Sequence, residues 1–431
     1  MVASGHPLRF QILSVSRRFV AHSAASLYST TVVTSALGFA FWSLAAHRLP
    51  PIQVGDASAV VSAMQLLAML SVLGLNTLII SEVSARPTRA PVLIATASTV
   101  ALAVGLAGGL FAAVVAKSTS AAYMHIFATT WALPIFVVGV GVTTITLVVD
   151  DACVAARRPA LQLFRNSVAS VLKLSLIPVG AIVLGGSNGM QLLSGWVLAT
   201  IVSLWFVRRL VVGSEPGHSG GLIDLSLIRS RSHLALRHHW LNVSVLAPRY
   251  AVVAIAAVVL GPRLTAAFYA ALLIVGFVTI IPSLLTTVLF TIAPGDDLAL
   301  TAQVRFTLGV SAMLAVVAAP VIFLLSGISL SLFSPADLTA RAAMCVLGLT
   351  VAPLAVKTHY VVIARVRGRM GQAARRTTAG AALELTFAGL GGAMGGLDGM
   401  AIGWLIALGV EAVVFGPTVY RAAFPPRGPH S

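Results

Sequence analysis

Residues 37–80 read LGFAFWSLAAHRLPPIQVGDASAVVSAMQLLAMLSVLGLNTLII: two long apolar runs joined by the turn HRLPPIQVGD. Pro50 and Pro51 are incompatible with a helix interior, and Gly55 and Asp56 suit the cap of a following helix. Each run approaches the roughly 20 apolar residues that cross a bilayer core. The stretch is expected to be a transmembrane hairpin. The chain repeats it: AAHRLPP (Ala45 to Pro51) aligns with AAVVLGP (Ala256 to Pro262) at a shift of 211 residues, with Ala45, Ala46, Leu49 and Pro51 retained. After it, DASAVVSAMQLL faces AFYAALLIVGFV, another long apolar helix. A period near half of a 431-residue chain predicts two homologous lobes.

Composition supports a membrane protein. Hydrophobic residues make up 58% of the chain and charged residues 9%, where soluble domains carry roughly 25% charged. The net charge of +16 would suggest nucleic acid in a soluble protein, but here it reads as positive charge retaining cytoplasmic loops, and no nucleic-acid partner is expected. Arginine outnumbers lysine 25 to 3. Cys153 and Cys345 stand alone as packing residues.

The expected fold is an all-α multi-pass membrane protein of about twelve transmembrane helices, arranged as two homologous six-helix lobes around a central cavity. Residues 1–25 form a cytoplasmic leader whose RFQILSVSRRFV segment could lie on the membrane surface as an interfacial helix. The N-lobe spans 26–212, with helices near 26–46, 57–81, 91–115, 124–148, 160–184 and 190–212. A polar linker occupies 213–237. The C-lobe spans 238–420, with helices near 239–260, 265–292, 306–328, 341–363, 377–397 and 400–420, and 421–431 is a cytoplasmic tail. Prolines 134, 178, 248, 282, 320 and 353 fall inside these helices and predict bends. GLGGAMGG in the eleventh helix pairs Gly391 with Gly395 and Gly392 with Gly396 at a spacing that permits close packing.

With twelve spans, one set of helix ends carries twenty basic residues, from Arg9, Arg17 and Arg18 to Arg421 and Arg427. The other carries Arg48, Lys117, Arg263 and Arg341. This bias places both termini in the cytoplasm.

Six further charges fall inside or beside predicted spans: Arg165, Lys173, Arg249, Lys357, Glu384 and Glu411. A charge at the bilayer centre costs several kcal/mol unless paired or hydrated, so each is a functional candidate. At about 1.5 Å per residue, Lys357 and Glu384 both lie roughly 12 Å from the cytoplasmic edge, and a pair between them is expected. Arg249 lies roughly 18 Å deep and Glu411 at a similar depth, which predicts a second pair. Lys173 is also deep and has no obvious acid in the first lobe. Arg165 reads as an interfacial anchor able to snorkel. The deep first-lobe charge is therefore positive, and a cavity of that polarity suits a phosphate or diphosphate head group. There is no GxxxxGKS/T loop, no HExxH and no CxxC pair, so no enzyme, cofactor or metal site is expected.

The segment Gly38 to Ile79, together with HHWLNVSVLAPRYAVVAIAAVVLGP (His238 to Pro262) and FYAALLIVGFVTIIPSLLTTVLF (Phe268 to Phe290), resembles the opening hairpins of the two lobes of bacterial polysaccharide-biosynthesis (oligosaccharide flippase) proteins. These belong to the multidrug/oligosaccharidyl-lipid/polysaccharide exporter superfamily. The resemblance implies alternating access around a central cavity in the bacterial plasma (inner) membrane. It implies movement of a polyprenyl-(di)phosphate-linked saccharide from the inner to the outer leaflet, for cell-envelope polysaccharide or glycolipid assembly. Arg249 and Lys173 match the basic cavity residues by depth and would hold the phosphate. Lys357, Glu384 and Glu411 would be cavity or ion-coupling charges, and Arg165 and Arg48 interfacial or gate residues. One departure stands at Arg48, which follows His47 where the family pattern has an arginine one position earlier and then an aromatic residue. The partners implied are the polyprenyl-linked sugar lipid, membrane lipids, and the glycosyltransferases or polymerase of the same pathway. The alternative is a proton- or cation-coupled drug or metabolite antiporter of the same superfamily, with Glu384 and Glu411 as carriers. Against it, the first helix has no carboxylate. A membrane-bound glycosyltransferase is disfavoured because the external loops offer only Asp56, Asp337 and Asp398, scattered singly.

The orientation has a direct test. Alkaline phosphatase fused after Ser431 should be inactive, and the same reporter inserted after Asp337 active; the reverse pattern would invert the topology.

Overall fold

The computed structural model describes residues 31–85, 87–183, 188–207, 224–225, 232–287 and 297–425, and within these the chain is helical with no strand. The leader, most of the linker and the end of the tail lie outside the described residues. So do the interfacial-helix reading and nine of the loop arginines (9, 17, 18, 86, 208, 209, 229, 231 and 427) that set the orientation.

The first half contains α1 (31–48), α2 (Pro51–Ser71), α3 (Leu75–Ala85), α4 (Ala90–Thr119), the short α5 (Ala121–Ile126), α6 (Ala132–Ala155), α7 (Pro159–Val183) and α8 (Gly189–Trp205). The second contains α9 (Ser232–Val259), α10 (Pro262–Thr287), α11 (Asp297–Ser331), α12 (Arg341–Leu349), α13 (Val351–Val366) and α14 (Met370–Ala423). Eight described helices are long and apolar enough to cross a bilayer, and the bent pair α12–α13 makes a ninth. α14 counts once in that tally but contains two crossings. Its backbone leaves the helix at Gly395 and Gly396, the latter with φ of 61°, and the chain folds back on itself. Counting α2 with α3 and α12 with α13, each half supplies six long helical legs among the described residues.

The repeat in the sequence corresponds to a repeat in structure. Pro51 opens α2 and Pro262 opens α10, so the 211-residue shift superposes two helix starts. Proline suits a first helical position because its missing N–H has no partner to lose there. The expected cap at Gly55 and Asp56 is corrected: the helix begins four residues earlier, with Pro50 as its N-cap. Gly55 serves a different purpose. A Cβ there would lie 1.8 Å from the Pro262 carbonyl oxygen, so its absence lets the two equivalent helix starts touch across the lobes.

Other boundaries also shift. The second leg breaks at Leu73 and Gly74, both with positive φ, and the tenth breaks at Thr350. Pro134 and Pro353 therefore stand in the first turns of α6 and α13, whereas Pro178, Pro248, Pro282 and Pro320 remain inside helices. α9 starts at Ser232, so the last residues assigned to the linker are helical.

Within each half the helices pack chiefly on one another, and α2 carries the main contact between halves, against α9 and α10. At one end Gly55 meets Pro262, and at the other the Leu70 carbonyl lies 3.3 Å from His239 Nε2. An aromatic seam joins the halves from α1: Trp42 meets Tyr269 edge-on at 4.9 Å, and Phe39 meets Phe277 at 5.8 Å.

The glycine-rich motif packs differently from its sequence reading. Gly395 and Gly396 form the reversal, and the close approach is Gly391 against Gly399, where a Cβ on either would lie 2.1 Å from the other's carbonyl oxygen. Gly391→Ala is expected to destabilise the protein by about 1–3 kcal/mol through overpacking. Gly409→Ala, with open space around it, should be neutral or slightly stabilising. Thermal unfolding of both variants in detergent would check this.

Candidate functional site

Antiparallel helices joined by a short turn bring residues equidistant from that turn to the same level, and this places the buried charges. α6 and α7 meet around 156–158, so Asp150 and Arg165 are level. Arg165 Nε and Nη2 donate to the two Asp150 carboxylate oxygens at 2.9 and 2.7 Å, and Nη1 donates to Ser203 Oγ at 3.3 Å. Asn166 donates to the same carboxylate at 3.1 Å. Arg165 is only 3% exposed, which corrects its reading as a snorkelling interfacial anchor. It is a buried, bidentate partner of Asp150, a geometry that fits guanidinium to carboxylate. Arg48 is exposed at the end of α1.

Three of the four second-half charges, Lys357, Glu384 and Glu411, form one cluster. α13 meets α14 at Arg367–Arg369, which levels Lys357 with Glu384, and the reversal at Gly395–Gly396 levels Glu384 with Glu411. Lys357 Nζ donates to Glu384 Oε1 and also to Glu411 Oε1 at 3.2 Å, with Oε2 at 3.0 Å. Trp404 Nε1 donates to Glu384 Oε2 at 2.6 Å. All three ionisable side chains are at most 3% exposed. The expected Lys357–Glu384 pair is present. The expected Arg249–Glu411 pair is not: Glu411 turns to Lys357, because depth alone did not say which neighbour shared its level.

Arg249 and Lys173 are the two deep cations without an ion pair among the described residues. Arg249 lies level with Gly276 across the α9–α10 turn, and its Nη2 sits 2.9 Å from where a Cβ at that glycine would be. It faces a cavity of about 300 Å³ whose wall includes Glu384, Trp404 and Thr31 of α1. Lys173 lies level with Trp196 across the α7–α8 connection, and its Nζ stands 3.6 Å from the ring centroid, a cation–π contact. Arg165, Ala169 and Lys173 follow at i, i+4 and i+8 on one face of α7, which borders a second cavity of about 240 Å³. Thr34, Gly38 and Phe41 of α1 complete that wall. The sequence reading missed Trp196 and Trp404, although their level with Lys173 and Glu384 was available from the turn positions.

No family model matches the chain, and no curated protein matches it by sequence. Solved structures do match. A multidrug resistance MATE family transporter of the MOP superfamily in its inward-facing conformation aligns with a TM-score of 0.66 and 14% identity, over 92% of this chain and 96% of that one. The chain has the MATE transporter fold. An outward-facing MATE structure aligns at 0.58 and 15%, over 94% and 96%. A MOP superfamily transporter from Pyrococcus furiosus Vc1, described as having a binding pocket of reverse polarity that suggests a different function, aligns at 0.63 and 14%, again over 94% and 96%.

The cluster around Lys357 should dominate local stability. Lys357→Met would leave two buried carboxylates facing each other and destabilise the protein by about 3–5 kcal/mol. The triple variant Lys357→Met/Glu384→Gln/Glu411→Gln should recover most of that loss in denaturant unfolding.

Proposed function

We infer that the protein is an alternating-access flippase for a polyprenyl-phosphate- or diphosphate-linked saccharide, carrying it from the inner to the outer leaflet of the bacterial plasma membrane. The observation that carries this reading is the pair of deep cations, Lys173 and Arg249, each facing a cavity and each without an acid partner among the described residues. Every other deep basic side chain, Arg165 and Lys357, is neutralised by carboxylate. Unpaired cations held within a membrane are expensive unless an anion visits them. A lipid phosphate is the anion that a membrane delivers. α1 borders both cavities, which places Lys173 and Arg249 in neighbouring cavities along one helix. The fold shared with inward- and outward-facing transporters supports alternating access.

A second reading rests on the Lys357 cluster. It holds two carboxylates for one ammonium, and Glu384 reaches the second-half cavity. That excess of acid could carry a proton in a drug or metabolite antiporter.

The two readings separate in liposomes. With a fluorescent polyprenyl-phosphate sugar and its diphosphate analogue, the wild-type protein should accelerate transbilayer movement, and Arg249→Ala and Lys173→Ala should each reduce it at least tenfold, the loss of about 1.4 kcal/mol or more. Absence of movement in folded protein that exchanges protons for an organic cation, with exchange lost in Glu411→Gln, would establish the antiporter instead.

A further inference from the structure

The two cavities are lined by different chemistry. The first is lined by Trp196 and by neutral hydrogen-bonding side chains, including Gln65, Thr143, Ser170 and Thr200, beside the Asp150–Arg165 pair and Lys173. The second is mostly apolar, with Leu246, Leu272, Val275, Leu347 and Leu354 beside Arg249; Glu384, held by Lys357, also reaches its wall. Amide- and hydroxyl-rich walls around an aromatic ring suit a polyhydroxylated ring: its hydroxyls take the hydrogen bonds and its C–H face lies on the indole. Leucine and valine walls beside one guanidinium suit a phosphate followed by hydrocarbon. α1 lines both, with Thr31 in the apolar cavity and Thr34 one turn later in the polar one.

Building on the flippase reading above, we propose that the substrate is divided between these cavities: a sugar ring stacks on Trp196 in the first, and the phosphate and first isoprene units lie with Arg249 in the second. Lys173 Nζ lies over the indole at 3.6 Å from its centroid, while Phe41 and Trp42 pack against the same indole at 5.3 and 6.2 Å. A charge-assisted bond to phosphate is stronger than a cation–π contact with a single ring. An arriving phosphate therefore draws the ammonium off Trp196 and uncovers the surface on which the sugar settles. Lys173 contributes twice, as a phosphate ligand and as the cover of an otherwise exposed indole.

The experiment measures binding of two kinds of probe to the full chain in nanodiscs: farnesyl phosphate, and farnesyl phosphate carrying glucose, galactose or N-acetylglucosamine. At least one sugar should add affinity. Trp196→Leu should weaken that glycosylated probe roughly tenfold and leave farnesyl phosphate within about twofold, while Trp196→Phe should retain most of the affinity. Leu354→Ser should weaken both probes. Should Trp196→Leu prove unstable, Thr200→Val alters the same wall and should again weaken only the glycosylated probe. Equal weakening of both probes by the wall variants, or no gain in affinity from any sugar, would overturn the division of the substrate while leaving the flippase reading in place. Wild-type protein that binds neither probe while folded would overturn the flippase reading itself.

Discussion

A bilayer interior offers no water to a charged side chain, so every buried charge must find its counterpart within the protein or forfeit several kcal/mol. Lys357 meets that constraint with two carboxylates, one from each leg of α14. The indole N–H of Trp404 fills the remaining oxygen of Glu384. The arrangement fixes the register of three helical legs at once, since sliding any of them by one turn, about 5.4 Å, would separate ammonium from carboxylate. Arg165 and Asp150 do the same for α6 and α7 in the first half. Each lobe is thus held by its own internal ion pair. The contacts between lobes are of another kind: a shared apolar core, aromatic edges, glycine against carbonyl, and side chains of His239, Tyr123 and Ser43 reaching backbone oxygens. That contrast leaves each half with its own internal electrostatic support.

Much of this was legible in the chain. Hydropathy and the proline turns gave the twelve legs, and the 211-residue repeat marked equivalent helix starts because Pro51 and Pro262 both open helices. The Lys357–Glu384 pair followed from depth. What depth could not supply was the identity of the neighbouring helix, and so Glu411 was matched to Arg249 instead of Lys357. Reflection about the turns would have supplied it: 357 with 384, 384 with 411, 150 with 165, and 173 with 196 are each close to symmetric about a connection. Helix interruptions at Gly74 and Thr350 escaped notice because the apolar run continues through them, and hydropathy is blind to φ and ψ. The α14 reversal was anticipated as a boundary between two spans. The role of its glycines was not, because a four-residue spacing looks the same whether two helices cross or one chain doubles back.

The functional residues divide in the same way. Charged side chains in an apolar sequence announce themselves, and all six were visible. Only geometry could tell the paired charges from the others: Arg165 and Lys357 meet carboxylates, and Lys173 and Arg249 meet none among the described residues. The two tryptophans that shape the candidate site carry no such signal, since aromatic residues in a membrane protein are ordinary until a cation is found beside them.

The position of Lys357 in the chain has a consequence for biogenesis. Both of its carboxylate partners are synthesised after it, on the final hairpin. A growing chain that has inserted α13 but not α14 holds an ammonium with no acid to receive it. Such an intermediate keeps that segment near aqueous surroundings, or within the insertion machinery, until the last two crossings arrive. A chain cut short before Glu384 never passes that point. The lysine therefore couples the two parts of the lobe in time: its buried charge is matched only once synthesis has passed Glu384 and Glu411.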